Sequence, residues 1–215
     1  MSALLPAIGG MQKAAPQTIG SCATLACIWE ATAAKPGNVY RGADFEDVTY
    51  ADFITSAAVI GPIVEQIEQL GVGQTILQAV QATRSAVASN TNLGMMLLIA
   101  PLAAVSSGQK LAAGIGEVLQ AFTFEDTQAV YQAIATAQPG GLGNVDQADI
   151  HSSSEPKISL IKAMQLAADR DLVARQYGNE FEQVFLTADR MAKALQQGLP
   201  LGEAIVFTYL QLMAD

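Results

Sequence analysis

The sequence predicts an all-α protein, a single-domain bundle of several helices around one buried central helix. Aromatic residues make up only 6% of the 215 residues, and alanine, leucine, isoleucine and glutamine recur throughout. That composition favours close-packed helices over a β-sandwich. Apolar residues recur at helical spacing, and neither an internal repeat nor a long alternation typical of strands is present. A hydrophobic content of 51% is enough for a sizeable core.

The chain is expected to begin with a loose leader, residues 1–16, followed by an all-helical domain, 17–215. The first helix is predicted from Thr18 to about Ala34. Lys35 precedes Pro36, and proline disfavours the α conformation in the residue before it, so this helix should end there.

The second helix is expected to begin at Thr49, which forms a capping box with Asp52. Gly61-Pro62 should kink this helix, and residues 71–73 should end it. The predicted spans of the helices after the first are 49–70, 74–88, 93–105, 110–121, 125–137, 158–168, 172–197 and 200–215.

The segment 93–105 is apolar on all sides, and such a helix is expected at the centre of a bundle. It is too short to span a bilayer and contains Pro101. Further along, Gly178 is a candidate break within the helix 172–197, and Pro200 begins the last helix.

Charge and cysteine content narrow the class of protein. A net charge of −9 and the lack of a lysine- or arginine-rich run argue against a nucleic-acid partner. On one helix Cys22 and Cys27 would point in different directions, so we expect free thiols and a reducing compartment. Residues 1–16 lack the features of a signal peptide. We therefore expect a cytoplasmic protein without a membrane partner; the sequence is compatible with a homo-oligomer.

The segment 30–47 is densely polar and lies between two apolar helices. A chain that is only 14% charged places two cations and four acids there. Asp44 and Asp47 are candidate Mg²⁺ ligands, and Lys35 or Arg41 can bind phosphate. An ordinary interhelical loop with solvated charges is the alternative, and composition leaves both open.

Three later segments are candidate ligand sites. Asn90-Thr91-Asn92 precedes the buried helix, whose free N–H groups can bind an anion, although a plain N-cap is the alternative. The glycine run around Gly141 can form a phosphate nest or a simple loop. Asp169 lies at a helix junction.

Two single residues complete the inventory. Glu30 lies near the end of the first helix, where an acid opposes the macrodipole, so a compensating partner is expected. His151 is the sole histidine, and a solvated side chain is favoured over a general base. Neither a nucleophile elbow nor a zinc pattern is present.

A series of short motifs covers most of the chain from about Gly20, in the order in which they occur in one known protein family. They are E-A-T-A-A-K-P-G-N-V (30–39), D-F-E-D (44–47), F-I-T-S-A (53–57), S-N-T-N-L-G (89–94), P-G-G-L-G (139–143) and A-M-Q-L-A-A-D-R-D-L-V-A-R-Q-Y (163–177). In these motifs the chain resembles triphosphoribosyl-dephospho-CoA synthase. The K-P-G-N-V segment with its following acids is the most specific match.

The resemblance implies an all-helical fold and a reaction between ATP and 3′-dephospho-CoA. The 2′-hydroxyl of dephospho-CoA attacks C1 of the ATP ribose, adenine leaves, and the triphosphate stays on the product. That product is the precursor of the prosthetic group in citrate lyase or malonate decarboxylase systems. A carboxylate can stabilise the ribosyl cation, while Mg²⁺ and cations hold the triphosphate.

The resemblance also implies roles for individual residues. The expected catalytic carboxylates are those of Glu30, Asp44 and Asp47, and Asp44 and Asp47 are also the expected Mg²⁺ ligands. The expected nucleotide-binding residues are Lys35, Asn38, Arg41, Asn90, Thr91, Asn92, Gly141 and Asp169.

The chain departs from the family pattern in two places. Citrate-pathway members carry N-T-H-K-G where this chain has N-T-N-L-G (90–94), and the family has a later segment resembling D-T-L-I-A-R-K-x-G, which would begin about where this chain stops at Asp215. Either the chain is a shortened member or a separate partner supplies the rest. The alternatives are an inactive or divergent helical domain that binds nucleotide or a partner protein, and a related ribosyl transfer in the synthesis of a pterin C1 carrier.

Overall fold

The computed structural model describes residues 17–137 and 158–214. Within this range the chain forms ten α-helices and no strand, apart from one isolated bridge between Tyr40 and Ala43. The helices are α1 (Ile19–Thr32), α2 (Tyr50–Val64), α3 (Ile67–Val87), α4 (Leu93–Ala103), α5 (Leu111–Gln120), α6 (Phe124–Ala137), α7 (Leu160–Ala167), α8 (Leu172–Gly178), α9 (Glu182–Gln196) and α10 (Leu201–Ala214). The predicted all-α fold class is confirmed.

The boundary between the second and third helices differs from the prediction. Helix α2 ends at Val64 rather than at Leu70, and the span of α3 begins at Ile67. Within that span a kink falls at Gly71, whose backbone is non-helical with φ 73° and ψ 170°, at the start of the predicted break 71–73. Glu65 still has a helical backbone, with φ −58° and ψ −24°, and the chain leaves the helix at Gln66, with φ −96° and ψ 15°. Glu65 Oε2 accepts a hydrogen bond from the Gly20 N–H at 2.7 Å, and Ile67 is buried.

Local signals located the other breaks. Thr49 and Asp52 form the predicted capping box at the start of α2. The predicted helix 172–197 is divided after Gly178, because Glu180 and Phe181 have positive φ angles of 55° and 64°. The Gly61-Pro62 kink stays a prediction.

Helices α1 and α2 form an antiparallel pair in close contact. Thr32 near the end of α1 hydrogen-bonds to Tyr50 at the start of α2, whereas Gly20 at the start of α1 meets Glu65 just beyond the end of α2. A Cβ at Gly20 would clash with the Gly61 carbonyl oxygen, so glycine is needed where these two backbones meet.

The core lies among the first eight helices. Helix α3 packs against α2, α4 and α6, and buries nine residues. Helix α4 contacts α1, α3, α5, α6 and α8. Met96, Leu97 and Ala100 of α4 are buried, whereas Leu98 and Ile99 are partly exposed.

The last two helices pack mainly on each other. Helix α9 buries only Ala194, and α10 buries only Ala204 and Thr208. Helix α10 also contacts α1. None of the described helices is both long and apolar enough to cross a bilayer.

Candidate functional site

The end of α1 carries a buried lysine paired with a glutamate. The ammonium of Lys35, whose side chain is only 5% exposed, lies 2.7 Å from Glu30 Oε1 and also donates to the Glu30 carbonyl oxygen. That carbonyl is among the last four of the helix, which have no partner within the helix. Lys35 therefore both caps α1 and supplies the compensating cation that the position of Glu30 requires.

A tight turn follows Lys35 and is held by α10. The Asn38 N–H donates to the Lys35 carbonyl oxygen at 3.2 Å, and Gly37 has a φ of 77°. Asn38 Nδ2 donates to the Pro36 carbonyl oxygen and to the Tyr209 hydroxyl, so both amide hydrogens are in use. The amide atom of Asn38 left for a substrate is therefore its oxygen, which accepts from hydroxyl or amino groups.

The acids of the loop after this turn lie at the start of α2. Asp44 Oδ1 accepts a hydrogen bond from the Tyr50 N–H at 2.6 Å, in the first turn of the helix, where a negative charge is favourable. Arg41, Asp44 and Asp47 are all exposed. Their charged groups are therefore accessible to a ligand, and also to water.

The donor set fits a magnesium ion only in part. The described residues contain no group of three or more histidine, cysteine, aspartate or glutamate side chains that could hold a metal. A nucleotide-bound Mg²⁺ needs only one or two protein carboxylates, with phosphate oxygens and water completing the shell. Asp44 and Asp47 lie three residues apart in an exposed loop and provide that number of carboxylates.

The segment 90–92 lies at the start of α4 and is mostly buried. Thr91 is 7% exposed and its hydroxyl forms a hydrogen bond with that of Ser56 on α2. Asn92 is 3% exposed and donates to Thr83 Oγ1 at 2.7 Å, while its Oδ1 has no partner in the described part of the chain. Asn90 is exposed, and its Oδ1 accepts from the Leu93 N–H at 3.2 Å.

Asn90 therefore accepts from the first N–H of α4 although the N-cap position is Asn92, and Thr91 and Asn92 bond to neighbouring helices. Asn92 Oδ1 is thus a buried acceptor without a partner in the described residues, which is unfavourable.

Helices α4 and α8 begin side by side. A Cβ at Gly94 would lie 4.0 Å from Val173 Cγ2, and one turn further along the Tyr177 hydroxyl donates to the Leu97 carbonyl oxygen at 2.6 Å. The two helices thus run parallel, and their N-termini lie at the same end. Asp169 is exposed in the turn just before α8.

The charged side chains around this turn bind backbone groups. Asp171 Oδ1 caps α8 by accepting from the Val173 and Ala174 N–H groups, and Arg175 Nε donates to the Ala168 carbonyl oxygen. The Arg175 side chain therefore binds backbone carbonyl oxygens of the turn, and Asp169 is exposed at the surface.

Helix α2 connects the polar loop to the start of α4. Asp44 bonds to Tyr50, and Thr91 bonds to Ser56 six residues further along the same helix. Six residues correspond to about 9 Å along a helix axis. The two segments therefore contact the same helix at points about 9 Å apart along its axis and about 240° apart around it.

Gly141 and His151 lie outside the described residues. Sequence reasoning did not select Ser56, Thr83 or Tyr209, which contact three of the candidate residues. Ser56 stands within the F-I-T-S-A motif (53–57), so the sequence could have identified it as a site residue. Thr83 and Tyr209 stand in ordinary helical patterns, and no sequence feature identifies them.

A known protein family matches most of the chain. The family model described as CitG, ATP:dephospho-CoA triphosphoribosyl transferase, matches residues 16–215. Neither a curated protein nor a solved structure matches the chain. The matched range includes every candidate residue. The chain therefore belongs to the ATP:dephospho-CoA triphosphoribosyl transferase family.

Proposed function

We propose that the protein transfers the triphosphoribosyl group of ATP to the 2′-hydroxyl of 3′-dephospho-CoA. The hydroxyl oxygen forms a bond to C1 of the ATP ribose as the bond from C1 to the adenine nitrogen breaks. Adenine leaves with the proton that the hydroxyl gives up, and the triphosphate remains on the transferred ribose. The observation that carries the proposal is the family match over residues 16–215.

The buried Lys35 ammonium supports the proposal geometrically. Glu30 provides both of its acceptors, and an ammonium has three hydrogens, so one donor remains for a phosphate oxygen. A fixed cation with little exposure to water interacts strongly with phosphate. We assign Lys35 to the triphosphate, with Arg41 as a second, exposed cation.

Carboxylates near the same loop can act on the ribose. The side chain of Glu30 is 41% exposed, so its carboxylate can be reached despite the ion pair. As the glycosidic bond breaks, positive charge develops on the ribose, and a nearby carboxylate lowers the energy of that state. Glu30, Asp44 and Asp47 are the candidates for this role.

Mg²⁺ would be held by Asp44 and Asp47, and it would neutralise charge on the triphosphate. Asp44 also bonds to the backbone of α2, so an alanine there would disturb the helix start as well as the charge. Asp44→Asn and Asp47→Asn retain an acceptor oxygen and remove the charge. We expect each to weaken Mg-ATP binding in calorimetry; unchanged affinity would refute this role.

The start of α4 favours one competing function. Asn92 and Leu93 stand where citrate-pathway members carry histidine and lysine, and both are buried, at 3% and 7% exposure. Neither can replace the lost cations, because Asn92 is bonded to Thr83 and Leu93 packs in the core. A protein that binds nucleotide without turnover, or that performs a related ribosyl transfer in the synthesis of a pterin C1 carrier, is therefore the second candidate.

Free adenine distinguishes these functions. The purified protein is incubated with Mg-ATP and 3′-dephospho-CoA, and adenine and the triphosphoribosyl product are separated by chromatography. The proposal predicts equal amounts of both, and neither without dephospho-CoA. Binding of ATP without adenine release would favour the second candidate.

A further inference from the structure

The turn that carries Lys35 has few contacts of its own. Pro36 and Gly37 are exposed, and no described atom lies within 4 Å of a Cβ placed on Gly37. The backbone of Lys35 is part of the turn, because its carbonyl oxygen accepts from the Asn38 N–H. Any loosening of the turn therefore displaces the residue that carries the ammonium.

One distant side chain binds both ends of this turn. The Tyr209 hydroxyl donates to the Pro36 carbonyl oxygen at 3.0 Å and accepts from Asn38 Nδ2 at 3.2 Å. A phenol offers one hydrogen, which is used here, and accepts well through its oxygen. The hydroxyl is thus committed to the turn.

This contact spans most of the chain, since Tyr209 lies 171 residues after Asn38. It places the C-terminal helix α10 against the loop that follows α1. Burial of α10 itself is slight, with Ala204 and Thr208 its only buried residues. The two hydrogen bonds are therefore a specific link between the turn and α10 rather than a result of extensive packing.

We propose that Tyr209 is a positioning residue for the candidate site: it fixes the 36–38 turn and thereby the placement of Lys35 for the triphosphate. The role in substrate binding rests on the proposed function. The effect on the turn does not, and it can be measured in the protein alone.

The first test is amide hydrogen exchange in the Tyr209→Phe variant. The Asn38 amide is the probe, because its bond to the Lys35 carbonyl oxygen closes the turn. Two lost hydrogen bonds should raise its exchange rate by about fivefold to thirtyfold. The matched control is Tyr131→Phe, since the Tyr131 hydroxyl in α6 is buried and has no partner in the described chain. It should leave Asn38 exchange unchanged.

The second test separates positioning from general loss of structure. Under the proposed function, Tyr209→Phe should raise the KM for ATP by about fivefold and change kcat by less than about twofold, as expected for loss of ground-state binding. Combining it with Asn38→Ala should give less than the product of the two single effects, because both act through one turn.

The outcomes separate the two proposals. Unchanged Asn38 exchange in Tyr209→Phe, or an equal increase in Tyr131→Phe, overturns the positioning role whatever the activity. Faster exchange with an unchanged KM for ATP in an active enzyme also overturns it. If the wild-type protein releases no adenine, the proposed function fails, and the exchange experiment still decides whether Tyr209 fixes the turn.

Discussion

At the residue scale, the Lys35–Glu30 pair is asymmetric. The lysine side chain is 5% exposed and the glutamate side chain is 41% exposed. Removing the lysine leaves a carboxylate that water can solvate, whereas neutralising the glutamate leaves a buried ammonium without its counter-charge. The second change is the less favourable, because a buried charge needs a partner.

Lys35→Met and Glu30→Gln should therefore have different effects. We expect Glu30→Gln to lower the free energy of unfolding by about 1–3 kcal/mol, and Lys35→Met to lower it by no more than about 1 kcal/mol. Lys35→Met should nevertheless lower kcat/KM by about a hundredfold, which is typical when one donor that stabilises an anionic group is removed. Urea unfolding and steady-state kinetics on both variants test this. A higher free energy of unfolding for the Glu30→Gln variant than for the Lys35→Met variant would contradict it.

Cys27 gives a prediction for pH dependence. Burial, and secondly the negative charge of Glu30, raise the pKa of its thiol to about 12. An unfolded thiol ionises near pH 9, so the unfolded state loses its proton first as the pH rises. The stability that this thiol contributes is complete below about pH 9 and falls by about 1.4 kcal/mol per pH unit above it.

The measurement is the free energy of unfolding between pH 8 and pH 11 under reducing conditions. Because tyrosines and lysines also titrate there, the control is Cys27→Ala, which should show a shallower decline. Equal slopes for the two proteins would mean that burial does not hold the thiol neutral.

At the element scale, glycines set the distance between helices. Gly73 lies on α3 where it meets α6: a Cβ at this position would lie 2.5 Å from Asp126 Cα and 2.8 Å from its carbonyl oxygen. Asp126 Oδ1 also accepts from the Gly73 N–H at 2.9 Å. Backbone atoms cannot move aside as a flexible side chain can, so this packing requires glycine.

Gly73→Ala should therefore destabilise the protein by about 2–4 kcal/mol, through overpacking of α3 against α6. Gly202→Ala is the matched control, because no described atom lies within 4 Å of a Cβ there and the residue is in the first turn of α10. Alanine should stabilise that helix by about 0.5–1 kcal/mol. Thermal or denaturant unfolding of both variants tests the pair, and similar effects of the two would argue against close contact of α3 and α6.

At the scale of the whole molecule, the candidate site joins segments from distant parts of the chain. The polar loop and the start of α4 each contact α2, and Tyr209 of α10 contacts the turn that precedes the polar loop. A ligand that contacts several of these segments stabilises the folded state as a whole, because it binds only when they are together.

Saturating Mg-ATP should accordingly raise the free energy of unfolding, by about 2.7 kcal/mol at a hundred times Kd. The rise in Tm should be smaller in EDTA and absent in Lys35→Met. An equal shift in Lys35→Met would place the nucleotide elsewhere. Gly202→Ala should show the full shift and so controls for altered stability.

The sequence was sufficient where local physics dominates. Helical spacing, the Thr49–Asp52 capping box and the restriction before Pro36 predicted the fold class and most helix ends, and the K-P-G-N-V segment indicated the family. The end of α2 was predicted wrongly, because the backbone leaves the helix at Gln66. Residues 65–70 contain neither glycine nor proline, so no local signal marks that break.

Only the tertiary structure decided which atoms of the candidate residues remain available to a ligand. The family resemblance implied Asn38 and Asn92 as nucleotide-binding residues, but Asn38 uses both amide hydrogens on Pro36 and Tyr209, and the Asn92 oxygen is buried without a partner in the described residues. A side chain's chemistry follows from its sequence position, whereas its unpaired atoms depend on neighbours that folding brings from far along the chain. The sequence by itself therefore determined the helices and the family, and folding determined the partners of the site residues.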